Sequence, residues 1–136
     1  MNSPEDIAAI LAADVYAVIG VSKNPQKYGY LVWRTIKNAG KTAYAVNPNA
    51  TSIEGEPCYP SLAAIPAKVD AVVTVVQPAV TEQVVQDCKR LGLRLLWMQI
   101  GSESEASIAD AEKAGINLVA GGPCIMVMLR TYRFNK

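Results

Sequence analysis

The sequence predicts a doubly wound α/β domain, a sheet of five parallel strands with helices on both faces. Three observations predict it. Short apolar runs rich in β-branched residues recur along the chain, as in strands covered on both faces. Stretches with apolar residues at helical spacing separate them. Three of these stretches end alike, with a cation in the last turn and then a glycine: Lys37-Asn38-Ala39-Gly40, Arg90-Leu91-Gly92 and Lys113-Ala114-Gly115. Such a glycine takes the left-handed conformation that closes a helix, and each is followed at once by an apolar run. Alternating strands and helices, joined by right-handed crossovers, build a parallel sheet with two covered faces.

The strands are read at residues 15–19, 41–46, 70–76, 93–100 and 116–120. Ser3-Pro4-Glu5-Asp6 starts a helix, with a capping serine, a proline at the first position and acids in the first turn. Leu31, Val32, Ile36 and Ala39 form the apolar face of the next helix, and Val80, Val84, Val85, Cys88 and Leu91 that of the one after. Ser102-Glu103-Ser104-Glu105 offers a capping box. The stretch from Pro48 to Pro60 is read as the one long irregular connection, with a short helix at 61–65 after it. All 136 residues are expected to form a single domain.

Composition excludes several functions. With 51% apolar and 18% charged residues the chain can bury a core. No apolar run reaches the length of a membrane span, and the acidic, polar start lacks the features of a signal peptide, so a cytoplasmic protein is expected. A net charge of +1 gives no footing for nucleic acid. The 3 cysteines, Cys58, Cys88 and Cys124, are spaced for neither a disulfide framework nor a zinc knuckle. The sequence contains 0 histidines, which removes Ser-His-Asp and Cys-His catalysis, His-ligated metals and imidazole proton shuttles.

In doubly wound sheets ligands bind beyond the carboxyl ends of the strands, beside the first strand. The first loop there, Gly20-Val21-Ser22-Lys23-Asn24-Pro25-Gln26-Lys27-Tyr28-Gly29, is not GxGxxG. Gly20 would let backbone approach a ligand, Ser22 could donate to a phosphate, and Lys23 and Lys27 could lie near its charge. The helix after Gly29 would add its positive end. An ordinary polar loop with exposed lysines reads equally well from spacing alone. On the ligand reading, a valine at position 20 should block phosphate and spare the strand.

Strand two ends on Val46-Asn47-Pro48, where an NAD site would place a carboxylate for the ribose. A missing acid suits a ribose that carries a phosphate, as in NADP or coenzyme A, and equally suits a plain strand end. Gln77-Pro78 starts a helix and could wall a flat base. Gly121-Gly122-Pro123-Cys124 places a thiol near a helix start, although free cysteine is most often a buried small hydrophobe.

These runs resemble the CoA-binding domain family, small relatives of the N-terminal domain of the succinyl-CoA synthetase α subunit. The resemblance rests on Ala17-Val18-Ile19-Gly20-Val21-Ser22, Ala45-Val46-Asn47-Pro48 and Gly55-Glu56-Pro57-Cys58-Tyr59-Pro60-Ser61-Leu62. It continues through Val69-Asp70-Ala71-Val72, Trp97-Met98-Gln99-Ile100-Gly101 and Gly121-Gly122-Pro123-Cys124, in order over nearly the whole chain. It implies a Rossmann-like fold with coenzyme A as cofactor. It also implies that Gly20, Val21 and Ser22 line the phosphates, with Lys27 a phosphate partner and Tyr28 beside it. Val46, Asn47 and Pro48 would flank the adenosine, Gln77 and Pro78 would close the other side, and Gln99, Ile100 and Gly101 would lie towards the pantetheine. After Pro48 stand Asn49-Ala50-Thr51, with no base for the 3′-phosphate.

The expectation is a module that binds coenzyme A or an acyl-CoA without catalysis of its own. The alternatives are a small NADP-linked or acyl-transfer enzyme using Cys124, Lys27 or Tyr28, and an interaction protein. The apolar tail from Cys124 to Leu129 suits either a core helix or a contact between copies of the chain.

Overall fold

The structure, a computed structural model, describes residues 1–134. Its first helix, α1 (Pro4–Leu11), begins as read from the sequence: the Asp6 amide donates to the Ser3 hydroxyl at 3.0 Å and Pro4 opens the first turn. There follow β1 (Val15–Ile19), α2 (Tyr28–Asn38), β2 (Thr42–Val46), β3 (Ser52–Ile53), β4 (Glu56–Tyr59) and a single 3-10 turn at Leu62–Ala64. The chain continues through β5 (Ala71–Thr74), α3 (Pro78–Leu91), β6 (Leu95–Met98), α4 (Glu105–Lys113), β7 (Asn117–Val119) and α5 (Ile125–Phe134).

The strands form one 7-stranded sheet in the order β3-β4-β2-β1-β5-β6-β7. Every pairing is parallel except that of β3 with β4. Counting the parallel strands in chain order gives 3-2-1-4-5-6, the order of dinucleotide-binding sheets. The five expected strands are all present. The two additional ones come from the stretch read as irregular, where Glu54 (φ 51°) and Gly55 (φ 80°) make a left-handed two-residue turn that folds β3 back on β4.

Alternate strand residues serve opposite faces. Tyr16 and Val18 pack under α1, α2 and α5, while Ala17 and Ile19 pack under α3 and α4. The buried faces of two helices differ from the expected sets. On α2 the buried side chains are Tyr30, Val32, Trp33 and Ile36, and Leu31 is exposed; Trp33 pays for its burial with a 2.9 Å bond from its indole N–H to the Ala43 carbonyl. On α3 Thr81 takes the inward place and Val80 and Leu91 face solvent. The glycines Gly40, Gly92 and Gly115 all have positive φ, as their position after a helix predicts. In the apolar tail, Ile125 and Leu129 are core residues and Val127 is exposed. Among the described residues no helix is long and apolar enough to cross a membrane.

Candidate functional site at the carboxyl edge of the sheet

Pairing of Ile19 with both Val46 and Thr74, and of Thr74 with Met98, brings the strand ends to one level. The ladder then runs one residue further: Gly20 N–H donates to Val46 O, Val75 N–H to Ile19 O and Gln99 N–H to Thr74 O, at 2.9–3.0 Å. The segments holding Gly20, Asn47, Gln77 and Gln99 therefore leave the sheet along a common edge. Helices that follow parallel strands begin at that same edge, so Lys27 and Tyr28 at the start of α2 and Pro78 at the start of α3 join them. The loops that carry the expected site residues therefore leave the sheet at one edge.

Their side chains differ in what they can offer. Val21, Val46 and Gln99 are buried, so the two valines present only backbone. Gln99 is committed: its Oε1 accepts from the Ile125 amide at 2.8 Å and its Nε2 donates to the Cys124 sulfur at 3.4 Å. The Ser22 hydroxyl accepts from Asn24 N–H at 3.0 Å and keeps its own proton to donate. Asn47 spans the two central loops, donating through Nδ2 to Val21 O at 2.8 Å and accepting from Asn49 N–H at 2.9 Å. Tyr28 and Ile100 are exposed, at 70% and 72%.

Position 20 has no room for the valine that was expected to spare the strand. The φ of Gly20 is +102°, and a Cβ there would lie 2.3 Å from the Val75 carbonyl oxygen. The glycine is required by the turn out of β1 and by the neighbouring strand end, so a valine would distort the fold and not simply obstruct a ligand. The capping box also shifts. Ser104, not Ser102, caps α4, paired with Ser107. Ser102 is buried against Thr74 and the Gln99 carbonyl, and Glu103 accepts from the amides of Gly101 at 2.9 Å and Gly121 at 3.4 Å.

The helix starts separate into two groups. Ser3 caps α1, Ser104 caps α4, and Gln99 with Cys124 occupies the start of α5. The starts of α2 and α3 carry no side-chain cap. These two helices follow β1 and β5, the adjacent strands at which the chain reverses its direction of winding, so their positive ends flank the crevice between those strands. A concavity of about 310 Å³ opens beside it, lined by Val75, Val76, Gln77, Ile100, Gly101 and Ser102. A second hollow of about 350 Å³ between α1 and α5 is lined mainly by apolar groups, among them Ile7, Ala8, Leu11 and Met128. Among the described residues no charged side chain lines it.

Three thiols have three environments. Burial pushes Cys88 up to about 12. Burial also raises Cys58, against the smaller downward pulls of the Asn47 backbone and of the Lys23 charge. For Cys124 burial acts upward, yet the Gln99 amide, the Val127 and Met126 backbone N–H groups and the Arg130 charge together hold the half-buried thiol below the ordinary value. Among the described residues no cluster of His, Cys, Asp or Glu could hold a metal ion.

Two roles escaped the sequence reading. Gly29 allows α2 to start against the backbone of Gly20 and Val21, and the Tyr28-Gly29-Tyr30 run at the helix start was the signal for it. Glu103 ties the loops after β6 and β7 together, and nothing in its spacing announces that.

Sheet order and strand pairing define a Rossmann-like domain of the doubly wound α/β class. The family model described as CoA binding domain matches residues 14–130, and the chain belongs to that family. It is 34% identical over 127 residues to the ADP-forming acetate–CoA ligase I of Archaeoglobus fulgidus, covering 86% of this chain and 18% of the ligase. The chain thus spans less than a fifth of that relative's length. A conserved hypothetical protein from Pyrococcus furiosus superposes with a TM-score of 0.79 at 41% identity, covering 84% of this chain and 97% of the other. A hypothetical protein from Pyrococcus horikoshii superposes with a TM-score of 0.88 at 29% identity, covering 95% and 91%.

Proposed function

We propose that this chain binds coenzyme A or an acyl-CoA at the carboxyl edge of its sheet, through the ADP part, as a binding module and not as a catalyst. The observation that carries this reading is the pair of uncapped helix starts, α2 and α3, on either side of the β1–β5 crevice. Their unfilled positive ends suit the diphosphate. Family membership supplies the identity of the cofactor. In this reading Gly20, Val21 and Ser22 present backbone and hydroxyl to the phosphates, and Lys27 and Tyr28 stand at the α2 start. Val46, Asn47 and Pro48 flank the adenosine, Gln77 and Pro78 face it from α3, and Gln99, Ile100 and Gly101 border the pantetheine.

The sequence has no histidine and Glu103 is engaged with two backbone amides, which supports a role in holding or sensing the cofactor. Thermal melting with coenzyme A, dephospho-CoA, NAD and NADP tests the reading. Coenzyme A at about 100 times its Kd should stabilise the fold by about 2.7 kcal/mol. An upward shift with NADP and none with millimolar coenzyme A would overturn it.

One observation favours a second reading, an acyl-transfer enzyme. The half-buried Cys124 thiol is held below the ordinary value at a helix start, where it could take an acyl group from a thioester and release the cofactor thiol. Turnover of an acyl-CoA that disappears in Cys124→Ala would establish it over the module.

A further inference from the structure

Coenzyme A differs from other adenine cofactors in the monoester phosphate on its ribose 3′-oxygen, which is close to doubly charged at neutral pH. In sheets of this order the ribose lies by the tip of the second strand. That tip has no cation of its own, because no lysine or arginine occurs between Lys41 and Lys68. The charge has to come from another element.

The loop after β1 leans to that side. Val21 O is held by Asn47 Nδ2 at 2.8 Å, which binds the first residues of the loop to the β2 tip. Two tight turns then fix the path of the chain, Asn24 N–H on the Ser22 hydroxyl and Gln26 N–H on Asn24 Oδ1, both at 3.0 Å. Lys23 sits in the first of these turns. Its positive charge bears on the thiol of Cys58, which itself reaches the Asn47 carbonyl at 3.7 Å. Lys23 is exposed and makes no ion pair among the described residues, whereas Lys37 is paired with Glu56 and Lys89 with Asp110.

We infer that Lys23 is the residue that recognises the ribose 3′-phosphate, so that this chain selects 3′-phosphorylated coenzyme A by a cation lent from the first loop to the second. The inference rests on the coenzyme A reading above. Lys27 has a different place, at the uncapped start of α2, and serves the diphosphate common to coenzyme A and dephospho-CoA.

Calorimetric titration of the wild type, Lys23→Gln, Lys23→Arg and Lys27→Gln with coenzyme A and with dephospho-CoA tests it, with melting temperature as the check on folding. The wild type should prefer coenzyme A about tenfold, the scale of one exposed charge-assisted bond. Lys23→Gln should lose that preference and keep its affinity for dephospho-CoA, Lys23→Arg should retain it, and Lys27→Gln should weaken both ligands alike. The wild-type preference should shrink as salt is raised. A Lys23→Gln protein that keeps the preference, or loses both ligands equally, overturns the assignment while leaving the coenzyme A reading intact. A wild type that binds neither ligand overturns both.

Discussion

A Cβ placed on Gly29 would lie 1.9 Å from the carbonyl oxygen of Gly20, so the first turn of α2 rests directly on the end of β1. The contact is backbone to backbone, and neither partner can swing aside as a side chain could. Gly29→Ala should therefore cost about 3 kcal/mol or more, at the upper end of the penalty for overpacking. Urea unfolding of the variant checks this. A midpoint within experimental error of the wild type would show that α2 can back away from the strand.

Asn47 joins the loop after β2 to the loop after β1 and also steadies Asn49. Asn47→Asp keeps the shape, removes the donor to Val21 and adds a negative charge where the ribose phosphate is proposed to sit. Stability should fall by about 1–2 kcal/mol, the worth of a half-buried hydrogen bond. Coenzyme A affinity should fall further, by about tenfold or more, because like charges then face each other. Titration alongside Asn47→Ala separates the two effects, since alanine loses the bond without gaining the charge.

Cysteine reactivity should rank with environment. Cys124 should be alkylated by iodoacetamide first, with a rate profile whose midpoint lies below the ordinary thiol value. Cys58 and Cys88 should react only as the protein unfolds. Gln99→Leu removes one hydrogen bond to sulfur and should move the Cys124 midpoint upward. Peptide mapping after brief alkylation reads all three sites, and early labelling of Cys88 would contradict the burial that raises it.

Cys88 also makes a prediction about alkaline stability. Its thiol is raised to about 12 in the fold, against an ordinary value of 9.0 when unfolded. Between those values the unfolded chain releases the proton and the folded chain keeps it. Stability must then fall as pH rises, by up to about 1.4 kcal/mol per pH unit from this group, with no effect well below pH 9. Cys88→Ala should flatten the decline above pH 9, whatever its cost at neutral pH. Equal slopes for variant and wild type in denaturant titrations at pH 8–10.5 would refute the assignment.

Much of the fold was legible because its signals are local. The apolar run of β5 and the cation–glycine endings of α2, α3 and α4 each follow from a few adjacent residues. The hairpin of β3 and β4 was not. Ser52–Ile53 is too short to show a period, Glu56–Tyr59 contains a proline, and the turn is built on Glu54-Gly55, outside the commonest hairpin pairs. Most of each helix face was legible, Val32 and Ile36 on α2 and Val84, Val85 and Cys88 on α3, but Trp33 and not Leu31 points inward on α2, where its indole finds a carbonyl to bond. The candidate rim was legible through topology, since the sheet rule selects loops without side-chain detail. The parts played by Gly20, Gly29 and Glu103 were not, because each depends on an atom of another loop.

The central claim is where the cofactor binds. Backbone amide shifts recorded while coenzyme A is titrated into isotope-labelled protein test it most directly. The account predicts that the largest changes fall on residues 20–30, 46–48, 77–80 and 99–101. Changes centred instead on Asn2, Ile7, Leu11 and Met128, in the hollow between α1 and α5, would contradict it.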